Sequence, residues 1–396
     1  MRRILFYSEN FCDDKAKGGL EVATYRIAKG LKESGEWEVY HAFRRKSDGK
    51  IKSIYADVIR LRADGRNFEK ELKKFIINHE IEVVVNMTRF FRHGHIFKAS
   101  KNAGRDIKVI FMQHFAPGSE FKKGTFASGI HLLKLNPFNL LYWLRASVYP
   151  LLKLPRNQRL PKVYRETYRQ CDRLILLSEG YKELYKKIAS IKDDSKFITI
   201  PNIFDPAGGM DDSRVNNKKK SVLILSRMDE IQKRISLALK IWENIEKDPD
   251  LVDWQLDIVG TGHNVDIVRR LIRHLGLQRV VMHGWKEREP FLEEDAILMM
   301  TSEYEGLPLS VLEAQAYGCV PVAFDSYASL RDVVTPFYNG VIVENFGDIK
   351  DFSDKLKDLM YDSEYRTELS KNAINSSNKF SSEKITKQWL DILDAL

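Results

Sequence analysis

The sequence predicts an α/β fold built on parallel sheets and split into two domains, and three observations carry that prediction. Short apolar runs, Ile4 to Tyr7, Val83 to Asn86 and Val109 to Gln113, alternate with stretches of helical period. Repeated strand–helix units of this kind pair in parallel and are covered on both faces. The alternation restarts at Ser221 to Ser226 and continues through Trp254 to Val259, Ala296 to Met300, Val320 to Phe324 and Val341 to Val343. Between the two series, residues 207–220 are polar, charged and glycine-bearing, the composition of an interdomain linker. At 396 residues the chain is long enough for two or three cores of its own.

In the first series, the strand at Ile4 leads into a loop ending Lys17-Gly18-Gly19. A helix follows with Leu20, Ala23, Ile27 and Leu31 on one face. Glycines between a strand and a helix let backbone N–H groups approach an anion, although a plain turn has the same composition. Further elements are a strand at Glu38 to Phe43, a helix near Asn67 to Ile77, and strands at Arg173 to Leu177 and Phe197 to Asn202. His114 follows directly on the strand at Val109; a lone histidine there is more often structural than catalytic. His93 and His95 flank Gly94 in what reads as a basic loop, and no role is assigned to them.

Residues 121–165 hold nine lysines and arginines and no acidic residue, which equals the net charge of the whole chain, +9. Aromatic residues and leucines are interleaved among them. That mixture suits a segment lying in an anionic membrane interface, where each cation contributes on the order of 1 kcal/mol. A packed helical insertion with a basic rim is the plainer reading, and no nucleic-acid motif supports a third. The stretch Leu140 to Leu152 is interrupted by Arg145 and Pro150 and is too short to span a bilayer. The N-terminus reads as a first strand, not a signal peptide. Cys12, Cys171 and Cys319 form neither a disulfide framework nor a zinc pattern, as expected of a protein in reducing cytoplasm.

In the second series, Arg227 ends a strand and Lys233 follows six positions later. A guanidinium and an ammonium at one strand end suit a diphosphate, though two solvated loop cations would look the same. Gly260-Thr261-Gly262 lacks the third glycine of a dinucleotide loop and reads as a sharp turn. The most informative stretch is Thr301 to Ala314. It runs from a buried strand through Glu305-Gly306-Leu307-Pro308 into a helix from Leu309 to Tyr317, with Gly318 as a stop. Glu305 falls at the carboxyl end of the strand and Glu313, eight positions on, in the helix. In open α/β sheets that crevice binds ligands, and the helix start favours an anion. Spacing alone also allows a surface glutamate beside a helix-face one.

The run Glu305 to Ala314, followed by Gly318-Cys319-Val320-Pro321-Val322, closely resembles the Glu-x7-Glu signature of glycosyltransferase family 4. The resemblance extends over nearly the whole chain, apart from 121–165 and the linker, and carries Gly18-Gly19, His114, Arg227, Lys233, Glu305 and Glu313 in the family's order. It implies the GT-B fold: two Rossmann-like parallel-sheet domains facing a central cleft. Residues 1–206 would form the acceptor-side domain with the insertion 121–165. Residues 207–220 would be the linker and 221–378 the nucleotide-sugar domain, with a helix at 379–396 packing back on the first domain. By the same resemblance, His114 contacts the donor sugar, Arg227 and Lys233 hold the diphosphate, Glu305 takes sugar hydroxyls and Glu313 the ribose. Gly18 and Gly19 face the diphosphate and acceptor, Trp285 and Lys286 border the base, and Gly306, Leu307, Leu309 and Ser310 line the donor. The departures are Ser226 and Arg234 where the family has glycine, which puts the local turn geometry in question, and Ile203 in place of a turn glycine.

The implied reaction is transfer of a sugar, with retention, from a nucleotide-sugar, expected to be a UDP-sugar, to a glycan or polyprenyl-linked acceptor in bacterial surface polysaccharide assembly. The nucleotide-sugar is a substrate, and no cofactor or metal is expected because fixed cations neutralise the leaving phosphate. The Asp248-Pro249-Asp250 motif reads as a turn, which disfavours a metal-dependent GT-A enzyme. Rival readings are a sugar-nucleotide epimerase of the same fold and a non-catalytic nucleotide-binding protein at a membrane surface. The expected location is cytoplasmic, peripheral on the inner face of the membrane.

Overall fold

The computed structural model describes residues 1–14, 18–45, 54–62, 64–88, 90–122, 126–135, 159–205, 215 and 218–396. Two compact units emerge: Met1–Gly118, Pro155–Ile203 and Phe380–Leu396 make the first, and Ser119–Leu154 with Phe204–Lys379 the second.

The first unit is built on seven parallel strands: β1 (Arg2–Ser8), β2 (Trp37–Phe43), β3 (Val58–Arg60), β4 (Val83–Asn86), β5 (Lys108–Gln113), β6 (Arg173–Leu176) and β7 (Phe197–Thr199), in the order β3-β2-β1-β4-β5-β6-β7. Ile4, Leu5, Phe6 and Tyr7 of β1 are all fully buried, which is why the run is continuously apolar and not alternating. In register, Phe6 lies between His41 of β2 and Val85 of β4. The strand order reverses between β1 and β4, the point at which an open sheet leaves a crevice beyond its carboxyl ends.

The second unit holds six parallel strands: β8 (Lys219–Leu225), β9 (Gln255–Val259), β10 (Val280–Gly284), β11 (Asp295–Met300), β12 (Val320–Phe324) and β13 (Val341–Val343), in the order β10-β9-β8-β11-β12-β13. Its reversal falls between β8 and β11. The core packs the helix Ile235–Glu246 and the helix Ile349–Tyr361 onto the sheet through Leu239, Trp242, Phe352 and Leu356.

Three features differ from the sequence reading or are absent from it. The edge strand β3 has three residues and an exposed Arg60, too short a run to show a period. The presumed basic loop around His93 and His95 is instead the start of a helix, His93–Lys101. His93 stands in register with buried Ile96, Ala99 and Ser100, so an imidazole occupies an inward helical position where an apolar side chain would complete the pattern. His95 bonds Glu69 at 2.7 Å. Finally, the described parts of the insertion, which the sequence assigns to the first domain, group with the second unit. The helix Phe126–Leu135 is tied there by His131 Nε2, 2.9 Å from Glu230 Oε1. Most of 121–165, on which the membrane reading falls, and most of the linker 207–220 lie outside the described residues. No helix among the described residues is long and apolar enough to cross a membrane.

The helix Ser382–Asp394 belongs to the first unit, where it packs on the helix Gly19–Glu33. Trp389 is fully buried, with its ring 6.2 Å from Phe6 in an edge-on contact. Trp389→Ala is expected to lower unfolding free energy by about 3–5 kcal/mol, read from urea denaturation. Burial also pushes the imidazoles of His41 and His93 down from 6.5 to about 3. The unfolded chain binds their protons below 6.5, whereas the folded chain does so only near 3. Their contribution to stability is therefore complete above 6.5 and lost as pH falls toward 3. The free energy of unfolding should fall by up to about 1.4 kcal/mol per pH unit for each histidine in that window. In His93→Asn the slope should flatten by about one proton.

Candidate functional site

The crevice at the β8/β11 reversal is assembled from three segments. β8 delivers Ser226 and Arg227. Asp229 caps the short helix Glu230–Lys233 by accepting from the Gln232 N–H, so Lys233 projects from its last position. β11 delivers Thr301 to Glu305. The third segment is the helix Leu309–Ala316, with Pro308 at its N-cap. Ser226, Lys233, Met300, Thr301, Ser302 and Ser310 line one pocket.

Lys233 Nζ lies 2.6 Å from Glu305 Oε1, with both side chains nearly nine-tenths buried. Glu305 Oε2 accepts from Gln232 Nε2 at 3.1 Å, and the same amide's Oε1 accepts from Arg227 at 3.2 Å. Gln232 thus links Arg227 to Glu305, which Lys233 meets directly. Glu313, 8% exposed, is paired with Arg288, and its carboxylate raises the guanidinium pKa further. The structure therefore brings Arg227, Lys233, Glu305 and Ser310 together, with Gly306 and Leu307 on the loop between β11 and the helix.

At the helix start, the Leu309 N–H donates to the Leu307 carbonyl at 2.9 Å. Pro308 has none. Among the described residues the Ser310 N–H has no partner and is the donor left at the pocket. Trp285, 60% exposed, and Lys286 follow β10, two strands from β8, and do not line that pocket. Gly260 and Gly262 show why a glycine turn is needed. A Cβ on Gly260 would stand 1.9 Å from the Ser226 carbonyl oxygen, and one on Gly262 2.7 Å from that of Met228. The loop after β9 is pressed against the backbone after β8.

Arg234 answers the question raised by its missing glycine. Its backbone is left-handed, φ +51° and ψ +43°, a conformation costing about 1–2 kcal/mol for a residue with a Cβ. Its guanidinium is held by Glu303, and the Thr301 hydroxyl donates to the carbonyls of Lys233 and Arg234 at 3.0 and 3.1 Å. The turn persists without glycine because its flanks are bonded on three sides. Gln232, Arg288 and Glu303 were missed by sequence reasoning, and Arg234 was noted only as a departure from glycine. Gln232 and Arg234 adjoin Lys233 and were findable there. Nothing in the local pattern pairs Arg288 with a helix 25 residues away.

Gly18, Gly19 and His114 lie in the first unit. Gly18 caps its helix with ordinary extended backbone, and the Glu21 carboxylate occupies the space a Cβ there would need. His114 follows β5, and its Nε2 is buried without a hydrogen-bond partner. Burial pushes its pKa down to about 4, so the ring is neutral near pH 7. Asp248 caps the turn Pro249–Leu251 and pairs with Lys357 at 2.7 Å.

Residues 210–376 match the family model described as glycosyl transferases group 1. The Anabaena protein HepE, in complex with UDP-glucose, superposes over the full length of both chains with a TM-score of 0.74 at 16% identity. The apo form of the lipopolysaccharide outer core galactosyltransferase WaaB does so with a TM-score of 0.71 at 18% identity. The fold is GT-B, and the glycosyl transferase group 1 match lies within the second unit. Among curated sequences, the amylovoran biosynthesis glycosyltransferase AmsD of Erwinia amylovora is 27% identical over 179 residues, 45% of this chain and 49% of that protein. The chain spans about half the length of the curated relatives it matches.

Arg234→Gly and Arg234→Ala both lose the pair with Glu303, but only glycine relieves the backbone. Arg234→Gly should be the more stable by about 1 kcal/mol in urea denaturation. Equal stabilities would show that the turn is unstrained.

Proposed function

We propose that the protein is a retaining glycosyltransferase of family 4, transferring a sugar from a UDP-sugar to a glycan or polyprenyl-linked acceptor in bacterial surface polysaccharide assembly. The observation that carries this reading is the convergence of Arg227, Lys233, Glu305 and the Ser310 N–H on one crevice at a strand-order reversal. A departing nucleoside diphosphate needs fixed positive charge and N–H donors, and these groups supply both without reorganising at the moment of reaction. Arg227 and Lys233 take the phosphate oxygens, the latter exchanging Glu305 for phosphate as donor enters. Glu305, released on one oxygen, accepts hydrogen bonds from sugar hydroxyls. Glu313 takes the ribose. A neutral His114 lies against the sugar, and Gly18, Gly19, Trp285 and Lys286 border acceptor, diphosphate and base. The leaving phosphate assists deprotonation of the acceptor, so no enzyme nucleophile is required.

The names of the relatives support polysaccharide assembly, and the HepE complex supports a UDP-sugar donor. The basic content of 121–165 supports an anionic inner-membrane surface as partner. No resident cofactor or metal enters the scheme.

The test is a panel of UDP- and GDP-sugars with a lipid-linked acceptor, products separated by chromatography and their anomeric configuration read by NMR. Sugar on lipid with retained configuration is expected. Donor converted without acceptor selects the epimerase, and binding without turnover selects a non-catalytic role. Arg227 is exposed, so Arg227→Ala should leave melting unchanged while lowering kcat by roughly 10²–10³.

A further inference from the structure

The insertion reaches the donor crevice through one buried carboxylate. Glu230 is 1% exposed and opens the short helix that ends at Lys233. Its Oε2 accepts from the Ser236 N–H at 3.1 Å, and its Oε1 accepts from the Ser236 hydroxyl and, at 2.9 Å, from His131 Nε2. A carboxylate can only accept, so the imidazole carries its proton on Nε2 and donates. The Glu230 N–H in turn donates to Asn264 Oδ1 at 2.9 Å. Every one of these partners except His131 lies in the sheet-and-helix framework of the second unit. His131 comes from the helix Phe126–Leu135, 99 positions away in the chain, inside the basic and aromatic insertion.

We propose that His131 is a positioning residue for Lys233: the insertion helix, through the His131–Glu230 bond, holds the turn 229–236 in the conformation that presents the phosphate-binding ammonium. The turn needs such support. It carries Arg234 at φ +51°, and its backbone is closed by the Lys233 N–H on the Asp229 carbonyl at 2.7 Å and the Arg234 N–H on the Glu230 carbonyl at 3.3 Å. Releasing one of three donors from a buried carboxylate leaves it under-solvated and loosens the turn it anchors. Linkage makes the coupling reciprocal. A nucleotide that tightens Lys233 must also tighten the insertion helix, whatever that segment contacts. The insertion is then a sensor of donor occupancy as well as an addition to the fold. This rests on the proposed donor site, but its first readout does not.

The experiment is amide hydrogen exchange on the full chain, without ligand, for wild type, His131→Ala and His131→Gln. In His131→Ala, exchange across 229–236 should quicken about tenfold, the scale of a hydrogen bond to a charged group. His131→Gln, whose amide still donates, should restore most of the protection. Unchanged exchange in His131→Ala overturns the proposal, whether or not any nucleotide binds. The second readout is UDP titrated into the same proteins. His131→Ala should raise Kd and donor KM about tenfold with kcat largely retained. Saturating UDP should slow exchange in 126–135 of wild type only. Equal protection of that helix in His131→Ala would show that coupling does not pass through His131. Failure of wild type to bind UDP or GDP would count against the donor-site reading alone, leaving the exchange result to decide the role of His131.

Discussion

An ammonium and a carboxylate buried side by side tie two loops of the second unit together. Taking either charge out of water alone is prohibitive, and their attraction compensates only when the geometry is close and the remaining oxygen is satisfied. Lys233 and Glu305 meet both conditions, at 2.6 Å and with Gln232 on the second oxygen. The pair therefore locks the carboxyl ends of β8 and β11 to one another at the point where the strand order reverses. A buried ion pair is weak evidence for stability, but it is strong evidence for position. In the ligand-free protein the two paired charges fix where both loops go.

The surrounding backbone is arranged to keep that position. Arg234 holds a left-handed turn against its steric preference because Glu303 and Thr301 bond it from the loop after β11. Gly260 permits the loop after β9 to lie directly on the Ser226 carbonyl. The Glu305-to-Glu313 segment passes from strand to helix through Pro308, whose missing N–H and constrained φ suit the start. Each feature removes freedom from a polar group facing the crevice. That rigidity suits the proposed transfer, in which fixed groups stabilise developing charge without reorganising.

The first unit shows a different economy. Three histidines, His41, His93 and His114, are held neutral by burial, and two of them act as packing side chains with an occasional polar contact. His41 Nε2 meets the Ser8 hydroxyl at 2.7 Å, and His93 stacks edge-on against Phe111 with ring centres 5.1 Å apart. His114 differs in its place after β5, at a sheet end and not within the core.

Strand runs were legible because buried parallel strands are apolar over their whole length. β4, β12 and β13 end where the sequence says they end. The motif around Glu305 and the two cations after β8 were legible because strand ends and helix starts leave local marks in glycine, proline and charge. The sequence by itself thus determined the α/β alternation, the separation into two series of strands and the charged residue types at the strand ends. Tertiary structure alone decided the partners. Arg288 meets Glu313, His131 meets Glu230, and the Leu309 N–H turns inward to Leu307. Ion pairs and hydrogen bonds between distant segments depend on where the sheets bring their loops, and no period of 2 or 3.6 residues records that.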